Sequence, residues 1–397
     1  MPKIDLATYA GKEQAYVKHY LLEKYLAPLV YKVGSAWDSI VYIDGFSGPW
    51  QVNDPNFADS SFAVAIEALR HAHSELRNRG KSIRIQTILV EANKSAYAKL
   101  ETFAATKSTP GFDVKALCGE FVDQIPGINE LVKRSCRNPF RFVFLDPKGW
   151  ADIPMLTLQP FLKDRSCEVL INLMTRHIIR FLDEDDRADS YQKLFGRTGV
   201  LEKLREVPKE NNERAEQAVR EYCRSLTKLC DYKYVSSAVI LEPNEESVRY
   251  FLVYATNDFH GIEVFKQAET ATARTQDDIR HETRLRKTLQ HEMSFEEGPP
   301  KSRLIMQLRE KYRNRAREKM LQTLLACRDP LGATYEALFC EAMAFPLVTP
   351  EDLENWVRSL TPHAELRLAG SAQRKKPSPA EDDRVVVMNA AALEANA

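Results

Sequence analysis

Two hydrophobic patterns alternate through the first 182 residues: apolar positions at helical spacing, and short unbroken apolar runs. Val17, Leu21, Tyr25 and Leu29 recur every fourth position, which predicts an amphipathic helix over 13–32. Ile40-Val41-Tyr42-Ile43 then reads as a buried strand, ended by the turn residues of Asp44-Gly45-Phe46-Ser47-Gly48-Pro49. The alternation predicts helices over 61–79, 93–105, 121–135 and 154–163, and strands over 83–90, 113–118, 141–145 and 167–173. Strands this apolar, each followed by a helix, argue for a parallel sheet covered on both faces.

Beyond residue 182 the pattern changes. Residues 183–229 are charged and helical in spacing, and are expected as a helical insertion. Strands over 232–241 and 248–256 flank the turn Glu242-Pro243-Asn244-Glu245 as a hairpin. Five β-α units closed by an antiparallel hairpin are the layout of class I methyltransferases, where the seventh strand inserts antiparallel. The fold expected is therefore α/β, Rossmann-like, with a mixed seven-stranded sheet filling residues 1–290.

A charged stretch then leads to a basic helical connector, 291–320, in which residues 301–319 hold eight basic and two acidic side chains. Helices over 333–344 and 350–360, the second opened by the start signal Thr349-Pro350-Glu351-Asp352, precede strands near 364–369 and 384–388. Helices followed by a β-hairpin predict a small winged-helix-like α+β domain over 321–390, with Arg374, Lys375 and Lys376 at the wing tip. Residues 391–397 read as a disordered tail. Arg313, Arg315 and Arg317 on the basic helix, with the wing-tip cations, are the candidate nucleic-acid contacts. Glu351, Asp352 and Glu354 at the start of the would-be recognition helix would repel a phosphate backbone, so protein binding is an equal expectation for this unit.

Composition narrows the field only a little. Lys plus Arg and Asp plus Glu stand at 56 each, so no net charge draws a polyanion to the whole molecule. The seven cysteines form no C-x-x-C pair, which favours reduced thiols over a disulfide framework or a zinc site. No apolar run approaches membrane-spanning length and Met1-Pro2-Lys3-Ile4-Asp5 opens no signal region, so a soluble, cytoplasmic protein is expected.

The candidate chemistry lies where the strands end. In an open α/β sheet, ligands bind beyond the carboxyl ends of the strands. Here those ends carry Asp44, Glu91, Glu120, Asp146 and Asn172. A rim of carboxylates suits a cationic nucleoside such as S-adenosylmethionine (SAM) better than a phosphate, and no Gly-rich loop with a Lys is present for a nucleoside triphosphate. Gly45 and Gly48 would admit the methionine part of SAM, and Asp44 would accept from its ammonium. Glu91 would take both ribose hydroxyls and Glu120 the adenine region. Between Asp44 and Glu91 lie many more residues than the ~20 of a compact dinucleotide fingerprint. The loop 49–60 and a long helix are expected to absorb the excess. A strand-end acid also serves as a helix cap, the plain alternative for each of these residues.

Six segments, in order, resemble the three-Cys-motif partner family: KHYLLEKYL at 18–26, YIDGFSGP at 42–49, LVEAN at 89–93, FVFLDPKGW at 142–150, EVLINLMTRHIIRFL at 168–182 and FLVYATNDFHGIEVFKQA at 251–268. The resemblance implies a SAM-dependent methyltransferase-like fold, found beside a protein with a radical-SAM-like three-cysteine motif. It places Lys18, Asp44, Gly48, Glu91, Asp146, Asn172, His177 and Arg180 at the family's characteristic polar positions. Asp146-Pro147-Lys148-Gly149-Trp150 is similar to the D-P-P-aromatic turn of amino-methyltransferases, whose Asp and Pro carbonyl accept from an exocyclic amine while the aromatic ring stacks on a flipped base. Asp146, Pro147 and Trp150 are thus the candidate catalytic residues. Lys148 departs from the family's usual Phe and favours a phosphate-bearing or acidic substrate, or is solvated. Alternatively, Asp146-Pro147 caps the next helix and Trp150 packs on it. Lys148, Asn172, His177 and Arg180 are candidate substrate contacts. No metal site is expected, since His71 and His73 point to different faces of one helix. Two functions remain open: methylation of an amine, as on a nucleic-acid base, or a non-catalytic SAM-fold partner of a three-cysteine-motif protein.

Overall fold

Helix α1 (Glu13–Val33) turns Val17, Leu21, Tyr25 and Leu29 inward, each at most 4% exposed, and begins a regular alternation of helix and strand. The computed structural model describes residues 6–48, 54, 57–184, 187–209, 212–291, 303–367 and 382–394, the side chains of Ala7 and of 286–291 excepted. After α1 come β1 (Ser39–Asp44), α2 (Ser61–Asn78), β2 (Arg84–Glu91), α3 (Lys94–Lys107), β3 (Phe112–Cys118), α4 (Phe121–Ser135), β4 (Phe140–Leu145), α5 (Met155–Leu162) and β5 (Cys167–Leu173). Strands β1, β4 and β5 are short, apolar and buried on both faces, as a helix-covered parallel sheet requires, while the edge strand β3 exposes Lys115 and Cys118. Short helices α6 (Thr175–Arg180), α7 (Ala188–Phe195) and α8 (Val200–Glu206) and the longer α9 (Glu213–Cys230) fill the expected helical insertion. Strands β6 (Tyr234–Leu241) and β7 (Val248–Thr256) follow as the hairpin.

The seven strands lie in the order β3-β2-β1-β4-β5-β7-β6. Strands β1 to β5 pair in parallel, and β7 sits between β5 and β6, antiparallel to both. This is an α/β architecture with a mixed, mostly parallel sheet, compatible with a Rossmann-like fold. Parallel register brings the carboxyl ends together: Asp44 pairs with Leu89 and Phe144, and Glu91 with Cys118.

The charged stretch after the hairpin, to which the sequence assigned no element, forms a 33-residue helix, α10 (Phe259–His291). Its buried stripe keeps helical spacing but alternates apolar Ile262, Phe265 and Ile279 with polar Lys266, Glu269, Thr272, Gln276 and Arg280, which hid it from a hydrophobic reading. Two of those polar groups cover the end of the edge strand β6 and the turn after it. Gln276 accepts from the Leu241 amide at 2.8 Å and donates to the Val239 carbonyl at 3.3 Å, and Arg280 donates to the Glu242 carbonyl at 2.7 Å.

The C-terminal part comprises α11 (Leu304–Ala326), a two-residue strand β8 (Ala333–Thr334), α12 (Tyr335–Met343), α13 (Pro350–Ser359), β9 (Ala364–Arg367), β10 (Arg384–Val387) and α14 (Ala390–Glu394), with a second sheet in the order β8-β10-β9. The basic connector is thus the first helix of this unit, and it extends to Ala326. Residues 391–394, part of the tail expected to fray, belong to α14, whose Leu393 is 1% exposed. The unit docks on the β6 side of the large sheet. Ser236 donates to the Met343 carbonyl at 2.7 Å, the Phe259 and Phe339 rings lie 4.1 Å apart, and the buried pair Lys266–Glu269 binds the Phe345 carbonyl and the Leu347 amide. One continuous apolar cluster runs from Tyr9 to Leu393. Among the described residues no helix is long and apolar enough to cross a membrane.

Candidate functional site

Beyond the carboxyl ends of β1, β2, β4 and β5 lies a crevice of about 740 Å³. Lys18, Gly45, Gly48, Glu91, Glu120, Asp146, Pro147, Lys148 and Asn172 line it, so residues spread from α1 to β5 meet at one place. The strand-end acids are not helix caps. Asn93 caps α3 by accepting from the Ser95 and Ala96 amides, which leaves Glu91 to accept from the Asn93 amide at 2.5 Å. Glu120 stands at the N-cap of α4 without a side-chain cap bond, and its side chain is exposed. Burial raises the proton affinity of Glu91, opposed by the Asn93 amide and by Lys148, whose charge faces it. Lys148 is exposed yet within the electrostatic reach of that carboxylate.

Asp146 is the most constrained of these groups. One oxygen is ion-paired with the Lys18 ammonium, the other accepts from the Asn172 amide at 2.7 Å. Asn172 is 4% exposed, and its carbonyl oxygen has no hydrogen-bond partner. A buried acceptor left without a donor is costly, and this one belongs to a residue that lines the crevice.

Asp44 does not reach the crevice. It is fully buried, accepts from the Phe46 amide at 3.0 Å and the Ser61 hydroxyl at 3.1 Å, and so shapes the turn that carries Gly45 to Gly48. Desolvation pushes its carboxyl up to about 6. Gly45 lines the crevice, yet a Cβ there would stand 2.8 Å from Leu145 and 2.9 Å from Phe121, so internal packing excludes a side chain irrespective of any ligand. Trp150, expected to stack on a base, is 9% exposed, packs on Tyr191 at 4.9 Å between ring centres, and is not part of the crevice wall. His177 and Arg180 are exposed on α6, also away from the wall, and Arg180 lies over its neighbour Phe181. From the same helix it is Arg176 that is anchored, on Glu242 at 2.5 Å and the Val248 carbonyl at 3.2 Å.

The crevice also holds residues that no motif announced. Tyr9 and His19 share a buried hydrogen bond of 2.8 Å on its wall, and burial beside Lys18 and Lys12 drives His19 well below the ordinary histidine range, so it is neutral. Lys12 pairs with Asp59 at 3.0 Å, and Arg249 pairs with Glu242 at 2.8 Å. Each of the four cations lining the crevice thus faces an acid. The only local signal was Asp59-Ser60-Ser61, a helix-start pattern in which Ser60 does cap α2.

The candidate nucleic-acid residues are placed differently. Arg313 pairs with Asp352 at 3.1 Å, and Arg315 with Glu213 and Glu216 at 2.7 and 2.6 Å. Both cations tie α11 to its neighbours, and Arg317 is the exposed one of the three. Arg374, Lys375 and Lys376 lie outside the described residues. Among the described residues no group of three or more His, Cys, Asp or Glu could hold a metal ion. No protein-family model matches the chain, and no curated protein does.

Proposed function

We propose that this chain is a SAM-dependent methyltransferase of the three-Cys-motif partner family, acting on an amine such as that of a nucleic-acid base. One observation carries the reading: Glu91, Glu120, Asp146, Pro147 and Asn172 line a single crevice at the carboxyl edge of the sheet. The reversed β7 between β5 and β6 supports it, being the strand insertion of class I methyltransferases. The residues suit SAM. Glu91 and Glu120 are carboxylates left unused by helix capping, and the Asn172 oxygen is a buried acceptor without a donor. Glu91 would hold the ribose, Glu120 the adenine side, and the turn at Gly45–Gly48, fixed from beneath by Asp44, the methionine part. SAM supplies an electrophilic methyl group on a sulfonium. Asp146 and the Pro147 carbonyl orient the acceptor nitrogen, and the uncommitted Asn172 oxygen takes one of its N–H groups.

The ion pair between Lys18 and Asp146 favours a second reading, a non-catalytic SAM-fold partner of a radical-SAM-like three-cysteine protein in the cytoplasm. With Lys18 on one oxygen and Asn172 on the other, Asp146 is already satisfied. Calorimetric titration with SAM separates the cases. Under the enzyme reading Asp146→Ala keeps SAM affinity and loses methyl transfer, while Glu91→Ala weakens SAM about tenfold or more. Wild-type protein that binds SAM without methylating nucleosides or proteins would establish the partner reading, and absence of SAM binding would remove the cofactor from both.

The C-terminal connectivity α11-β8-α12-α13-β9-β10, with β10 central in its sheet, supports a winged-helix unit. Within it, Arg317 and the 374–376 cations are the proposed phosphate contacts. A salt-dependent gel shift with these four charges reversed tests that role, and an unchanged shift would refute it.

A further inference from the structure

A second cavity, of about 530 Å³, lies where α9 and the last two strands of the large sheet meet α11 and the end of α12. It shares no wall residue with the crevice. Its volume falls within the usual range of small-molecule sites. Val219, Val235, Phe251, Phe345 and Pro346 give it an apolar interior. Two polar features interrupt that interior. Ser237, 1% exposed on β6, points a hydroxyl there that has no hydrogen-bond partner. Arg220 is half-buried, its only hydrogen bonds go to the neutral amide oxygen of Gln217 at 3.0 and 2.7 Å, and no carboxylate lies within ion-pair distance of it among the described residues.

That second feature is unusual for this molecule. The neighbouring cations are neutralised: Arg224 by Glu221, Lys233 by Glu336, and Lys311 and Arg315 by Glu213 and Glu216. Among the described residues Arg220 is the half-buried cation on this wall with no carboxylate in direct contact; burial lowers its proton affinity, and Glu216 and Glu213 oppose that only from beyond ion-pair distance. Exposed Lys228 and Lys319 stand at the same wall, against one exchangeable acid, Glu341, since Glu216 is already bound to Lys311, Tyr312 and Arg315. An apolar chamber with a cationic mouth and a planar fork of donors fits one ligand chemistry.

We propose that this junction cavity binds a single-chain amphiphile ending in a carboxylate, with the chain against Val219, Phe251 and Phe345 and the carboxylate on Arg220. The ligand would touch α9 and the C-terminal unit at once, and so strengthen their association. The site is independent of SAM binding, and its test does not rely on methyl transfer.

The experiment is calorimetric titration of the full chain with dodecanoate, below its micellar concentration, and with dodecan-1-ol. The expected result is saturable one-to-one binding of dodecanoate with Kd on the order of 10 μM. Arg220→Gln should weaken it by about tenfold or more, as should replacing the carboxylate by the alcohol. Val219→Trp should abolish binding by filling the chamber. Circular dichroism and thermal unfolding confirm that each variant is folded, and Arg220→Gln, at a half-buried position, decides the matter if Val219→Trp fails to fold. Absence of saturable binding to wild type overturns the proposal. So does equal affinity for acid and alcohol, or for wild type and Arg220→Gln.

Discussion

Glu168 shows how one buried side chain sets a pH dependence. It lies 3% exposed in β5, accepts from the Tyr25 hydroxyl and from Thr256 at 2.7 Å, and Tyr25 bonds Tyr254 at 2.6 Å. Desolvation outweighs these bonds and lifts the carboxyl from 4.5 to about 7. In that interval the folded chain holds a proton that the unfolded chain has lost, so this group's stabilisation is full below about 4.5 and disappears as pH rises through about 7. The expected size is about 3 kcal/mol. Urea unfolding at pH 5 and pH 8 should find Glu168→Gln gaining roughly that much on wild type at the higher pH. A difference that does not move with pH would exclude the mechanism. Asp44 acts in the same direction between its ordinary value and about 6. At Gly45 the constraint is steric. Gly45→Ala forces a methyl against Leu145 and Phe121 and should cost about 1–3 kcal/mol in denaturant unfolding, with or without SAM.

Single elements carry their own tests. Helix α13 begins with a reciprocal cap in which Thr349 accepts from the Asp352 amide at 3.2 Å and Asp352 from the Thr349 amide at 3.0 Å. Thr349→Ala should lower stability by about 1 kcal/mol, read from the chemical denaturation midpoint. Asp352, which as a sequence feature argued against phosphate binding, is 5% exposed and is engaged by Arg313, so its charge is directed into the protein. Helix α10 is the counterpart of this legibility. Its Gln276 and Arg280 were unreadable as core positions because their value lies in satisfying the edge of β6, a partner that exists only once the sheet is assembled. Gln276→Leu should leave the Leu241 amide without an acceptor and cost about 1–3 kcal/mol by urea unfolding.

At the scale of the whole molecule, Glu216 links the two parts. This residue of α9 is 4% exposed and receives Lys311 at 2.7 Å, Tyr312 at 3.0 Å and Arg315 at 2.6 Å from α11. Removing it leaves Lys311 and Arg315 to share Glu213 and deprives the buried Tyr312 hydroxyl of its acceptor, which should cost about 1–3 kcal/mol. Limited proteolysis of Glu216→Ala should then cleave near 303–326 faster than wild type. Equal cleavage rates would mean that the apolar contacts of Tyr312, Ala316 and Met320 hold the helix without the ion pairs.

The alternation of apolar runs and amphipathic spacing was sufficient to locate the strands and the flanking helices to within about two residues, because both periods report which faces exclude water. It also marked Glu91, Glu120, Asp146 and Asn172 as strand-end residues, since a parallel sheet sends every carboxyl end to one edge. Tertiary structure alone decided the rest. It sent Trp150, His177 and Arg180 away from the crevice, placed Asp44 beneath it, brought Lys18 from α1 onto Asp146, and added His19, Lys12 and Asp59. It turned Lys311 and Arg315 of α11 inward, onto acids about a hundred residues earlier in the chain. Periodicity records burial of a face, whereas the pairing of a charge depends on a neighbour supplied by another element, and only the packed chain brings the two together.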